Sequence, residues 1–110
     1  ILCIPGAIPA TERTAHFALA TRLLNELATS QTALADGYEF RFPAGALQSI
    51  AQFIANERLC CPFMRFDIHV EPGASELILQ MTGPVGTREV IETEVRIGSR
   101  GSAGYQCCEA

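Results

Sequence analysis

Lysine is missing altogether: all eight basic residues are arginine. That excludes a lysine nucleophile or Schiff base, while arginine can still clamp an anion. Long apolar runs are missing too. None approaches the ~20 residues of a membrane span, and the start lacks the basic-then-apolar pattern of a secretory signal. The chain opens at Ile1 rather than methionine, so a trimmed targeting segment is not excluded. Positive charge is scarce, with a formal net charge of −4. A phosphate-binding protein wants a basic face, so nucleic acid is disfavoured as a partner. The common catalytic and metal signatures are absent as well: there is no C-x₂-C pair, no H-E-x-x-H, no G-x-S-x-G, no P-loop and no dinucleotide fingerprint.

What remains is an ordinary globular composition. At 110 residues, 48% hydrophobic and 18% charged, the chain is long enough to bury one core without staples. It has neither an internal repeat nor a low-complexity tract. Leu2-Cys3-Ile4 predicts a short strand before Pro5-Gly6, with Cys3 as a small buried hydrophobe. Thr11 offers an N-cap for a helix over residues 11–28, in which Phe17, Ala20, Leu24 and Leu27 recur at helical spacing beside Leu23. His16 adjoins that stripe and reads as a packing or helix-surface histidine. After the Asp36-Gly37 turn signal, Tyr38, Phe40 and Phe42 alternate with Glu39 and Arg41, a half-buried strand over 38–42.

A second helix, over 45–60, shows Leu47, Ile50, Ala51 and Ile54 on one face, and Pro62 ends it. Met64, Phe66, Ile68 and Val70 then alternate as a strand over 64–70. Pro72-Gly73 turns the chain into a return strand over 76–82, and a third helix follows over 85–97. The expected core is Phe17, Leu24, Phe40, Phe42, Ile50, Ile54, Phe66, Ile68 and Leu79. The element order predicts an α+β single-domain sandwich, residues 1–97, with helices packed on one face of a mostly antiparallel sheet. Residues 98–110 read as a Gly/Ser linker carrying a Cys-Cys tail. The half-charged sheet face or the third helix offers a surface for a homodimer.

Chemistry is concentrated in sulfur. Four of the five cysteines stand in adjacent doublets, Cys60-Cys61 and Cys107-Cys108. Neighbouring Cα atoms are ~3.8 Å apart, below the ~4.4 Å lower end of ordinary disulfide spans, so a doublet does not readily close on itself. It can ligate a soft metal, bridge to the other doublet or hold a reactive thiol. Two sulfurs on opposite sides of one ion would sit roughly 4.6 Å apart, within reach of a doublet. Soft thiolates select Hg(II), Cu(I) or Zn(II). The metal-ligand candidates are therefore Cys60, Cys61, Cys107 and Cys108, with packing as the competing role of the first doublet. The C-terminal end of the second helix raises a thiol pKa there, and Arg58 and Arg65 oppose that effect. Asp67 and His69 share a strand face and read as a solvated pair rather than an acid/base couple. The odd cysteine count argues against a secreted disulfide framework and points to a reducing cytoplasm with most thiols free.

The run Glu57-Arg58-Leu59-Cys60-Cys61-Pro62-Phe63-Met64-Arg65-Phe66, followed by the hairpin and Leu77-Ile78-Leu79-Gln80-Met81-Thr82-Gly83-Pro84, resembles a family of small uncharacterised bacterial proteins. That family carries Cys-Cys-Pro-Phe after a helix and Thr-Gly-Pro after a hairpin. The resemblance takes in the Gly37-Tyr38-Glu39-Phe40-Arg41-Phe42 strand, and it supports the fold frame more than any activity. Separately, Cys107-Cys108-Glu109-Ala110 is similar to the vicinal-cysteine tail of mercuric reductases, which hands Hg(II) inward. The functional expectation is soft-metal binding or trafficking. The alternative is a small-molecule or protein-interaction module with packing cysteines, and a thiol enzyme built on Cys60 or Cys61 with His69 comes last.

Overall fold

A computed structural model describes residues 1–99. Four antiparallel strands form one sheet in the order β1-β2-β4-β3, with β1 at Ser30–Leu34, β2 at Gly37–Pro43, β3 at Arg65–His69 and β4 at Glu76–Thr82. Three α-helices complete an α+β architecture: α1 (Arg13–Arg22), α2 (Leu47–Cys60) and α3 (Thr87–Ser99). The alternation read in the sequence explains the layering. Phe40 pairs with Leu79 and Phe42 with Leu77, all four buried. The residues between them face the other way, where Gln80 Nε2 donates to Glu39 Oε1 at 2.9 Å. One face is therefore apolar and covered, the other polar. Ile8, Leu23, Leu24, Ile50, Phe53 and Ile91 close the core from the helical side.

Strand β1 has no counterpart in the sequence reading. Ser30–Leu34 has no alternation of burial and lies at the sheet edge, paired to β2 through a tight turn at Ala35-Asp36. Its conformation is imposed by the ladder rather than by its own pattern. The expected strand at Leu2-Cys3-Ile4 is not formed; those residues have no regular secondary structure and lead into a short 3₁₀ turn at Pro5–Ala7. The first helix ends in a π-turn over Leu23–Leu27, and no side chain caps its start, so Thr11 does not serve there. Helix α3 continues through Gly98 and Ser99, two residues assigned above to the linker. The remainder of the tail, with Cys107 and Cys108, lies outside the described residues.

Two expectations about the core are corrected. Ile68 is 38% exposed and Phe66 only half-buried, because β3 is an edge strand with a single neighbour; Phe17 and Ile54, also expected inside, are half-buried at the margin of the core. In α2 the buried positions are Ile50, Phe53, Asn56, Glu57 and Cys60, whereas Leu47 and Ala51 face outward. The buried stripe is turned around the helix from the one that apolar spacing suggests, since it contains a carboxylate.

Candidate functional site

Glu57 is the centre of the unusual chemistry. It lies in the last turns of α2 with no exposure at all. One carboxylate oxygen, Oε1, is 2.9 Å from Nε2 of His16 on α1, and both side chains are fully buried. The His16 ring stacks on Phe53, one turn before Glu57, with centroids 5.6 Å apart and planes 9° from parallel. The other oxygen, Oε2, is 3.7 Å from Cys61 Sγ. Glu57 and Cys61 stand four residues apart, which places them over one another at the end of the helix. A buried contact between two titratable groups is weak evidence for stability, because desolvation offsets most of its attraction. Its place next to sulfur makes it the candidate site.

Three cysteines meet here. Cys60 and Cys61 are both buried, so the doublet turns both side chains inward. Cys60 is a free thiol. Cys61 and Cys3 are disulfide-bonded. The backbone N–H of Ile4 donates to the Cys60 carbonyl at 2.7 Å, which lays the segment around Cys3 along the end of α2. Arg13 fastens the same segment from α1, donating from Nε to the Ile8 carbonyl at 2.9 Å and from Nη2 to the Gly6 carbonyl at 3.1 Å. Farther out, Ile1 lies against Gly86. A sulfur in a disulfide carries no proton, so the approach of Cys61 to Glu57 is a contact; once reduced, the Cys61 thiol could donate to Oε2.

Burial pushes the Cys60 thiol up to about 12, and the carboxylates of Glu57 and Glu94 add to the effect, while the backbone of Ile4 acts in the opposite sense. Glu94, on α3, is itself only 1% exposed. The direction agrees with the sequence reading, but the cause is desolvation and negative neighbours rather than the helix terminus alone. Cys60 is therefore a packing thiol with little thiolate character at neutral pH.

His16 also forms part of the wall of a cleft between α1 and α2. The cleft holds about 220 Å³ and is lined by Thr11, Glu12, Ala15, His16, Leu19, Gln52 and Asn56. At its rim Asn56 Nδ2 donates to Glu12 Oε1 at 3.1 Å.

Of the four expected metal ligands, the described residues contain Cys60 and Cys61, and only one of these is a thiol. Among the described residues no group of three or more His, Cys, Asp and Glu side chains is arranged to hold a metal ion. The expectation of mostly free thiols does not hold for the three described cysteines. His69 is exposed at the end of β3 and far in role from this cluster, and Asp67 accepts from Arg65 Nε at 3.0 Å and Nη2 at 3.3 Å. The solvated reading of that strand face stands. Sequence reasoning missed Cys3, His16 and Glu57 as a group. Glu57 did stand one helical turn before Cys61, a spacing that was visible; the long-range meeting with His16 was not.

No protein-family model matches the chain, and comparisons with curated proteins and with solved structures find no match.

Proposed function

We propose that Cys3 and Cys61 are partners in one disulfide and that the protein works by thiol–disulfide exchange at that bond. What supports the reading is that both cysteines are disulfide-bonded while Cys60, beside them, stays a thiol. The hydrogen bond from Ile4 to Cys60 brings the two chain segments together. Cys3 is half-buried and Cys61 fully buried, so an incoming thiolate meets Cys3 first. It attacks Cys3 Sγ, the bond to Cys61 breaks, and the electron pair leaves on Cys61 Sγ. A second thiol of the reductant then releases Cys3. Two thiols of a small dithiol become its disulfide, and the protein gains two thiols.

Digestion without reductant followed by mass spectrometry tests the pairing. The expected product is a Cys3 peptide joined to a Cys61 peptide. Either cysteine joined to Cys107 or Cys108 overturns it, as does alkylation of both in unreduced protein. Soft-metal capture by the two doublets is the competing outcome. It would appear as one Hg(II) retained by the oxidised protein against a competing small thiol and lost from the Cys60→Ser/Cys61→Ser variant.

A further inference from the structure

We propose that Glu57 is the proton donor and acceptor for the Cys61 sulfur, and that His16 holds the Glu57 carboxylate as it gives up and regains its proton. The inference rests on the exchange reading above and adds the source of its proton.

The need for such a donor follows from burial. When the disulfide opens, the departing Cys61 sulfur carries a negative charge. It has no exposure to water and lies 3.7 Å from a carboxyl oxygen. A thiolate there is destabilised by desolvation and by any negative charge on Glu57. The neighbouring Cys60 thiol reports the same surroundings, since its ionisation is strongly opposed by burial and by Glu57 and Glu94. The leaving sulfur must therefore be protonated as it departs, and the nearest acidic group is Glu57. Glu57 Oε2 gives its proton to Cys61 Sγ. Its other oxygen is 2.9 Å from His16 Nε2, which holds the carboxylate left behind. The sum is one O–H bond broken at Glu57 and one S–H bond formed at Cys61. Oxidation runs the same steps backward.

Other titratable groups around the pair include Cys60 at the end of α2 and Cys61 just after it, Glu94 from α3, which acts on Cys60, and Glu12 at the cleft rim. Glu57 touches the reacting sulfur and is the catalytic residue. His16 acts through Glu57 and is a positioning residue.

The test is the rate of reduction of the full chain by dithiothreitol, measured from pH 5 to pH 9 and corrected for the reductant's own thiolate fraction. Proton donation by Glu57 predicts an inflected profile for the parent protein, with the corrected rate falling as the pair loses its proton. Glu57→Gln keeps the shape and the contact with His16 but cannot cycle a proton. It should react about a hundredfold more slowly, the lower end of what a positioned acid contributes, with a flat profile. His16→Gln should move the inflection while leaving Glu57 in place. A flat profile in the parent overturns that donation whether or not the variants fold. So does an inflection that survives unchanged in a folded Glu57→Gln. If Cys3 and Cys61 prove not to be joined, the exchange reading fails first, and the peptide map shows that independently of these rates.

Discussion

At the scale of single residues, Cys60 and the His16–Glu57 pair set the energetics of the site. The Cys60 thiol is raised from 9.0 to about 12 in the folded chain. An acid whose folded pKa is raised binds its proton more tightly when folded. Its contribution is fully present below pH 9 and is lost as pH rises through the folded value. Stability should therefore fall between pH 9 and about 12, and Cys60→Ala should flatten that part of the curve. Equal slopes in denaturant melts of the two proteins would contradict the assignment. Removing one side of the buried pair leaves the other stranded, so His16→Ala should cost roughly 3–5 kcal/mol, read from the denaturant midpoint. The raised, packed Cys60 thiol was legible in the sequence, and the His16–Glu57 pair was not. Helical periodicity sorts residues by hydropathy, and a carboxylate or an imidazole on a buried face is counted as surface. The alternative of a packing histidine was half right: His16 does stack on Phe53.

Among the elements, the ones with strict alternation were read correctly. Strands β2, β3 and β4 lie within a residue or two of their expected bounds, and the β3–β4 hairpin turns at Gly73, whose φ of 71° suits glycine. Elements held by their neighbours were not legible. β1 has a featureless pattern, and the N-terminal segment is tied by Arg13, Ile4 and Cys3 instead of by a ladder. The edge position of β3 also changes the cost of its residues. Phe53 is fully buried and Phe66 is not, so Phe53→Ala should cost about 3–5 kcal/mol and Phe66→Ala less. A larger loss for Phe66 would place β3 in the interior. Gly37, at the start of β2, illustrates a constraint of space. A Cβ there would collide with the Met81 carbonyl oxygen, whereas one at Gly45 would meet nothing within 4 Å. Gly37→Ala should cost roughly 1–3 kcal/mol, with Gly45→Ala close to neutral, as checked by thermal melts of both.

Across the whole molecule, the account turns on a covalent tie between the first residues and the end of α2. Among the described residues no helix is long and apolar enough to cross a membrane. A disulfide from Cys3 to Cys61 closes a long loop, and its loss should lower stability by about 4 kcal/mol in the chain-entropy view. Denaturant unfolding with and without reductant measures that difference, and coincident curves would mean the tie contributes nothing. The most direct test of the central claim is a redox titration in dithiothreitol buffers with alkylation at each step, followed by mass spectrometry. Two cysteines, Cys3 and Cys61, should become reactive together in a single two-electron transition, with Cys60 protected throughout and the bond restored on reoxidation. Reactivity of Cys61 without Cys3, or of both before any reductant is added, would contradict the account.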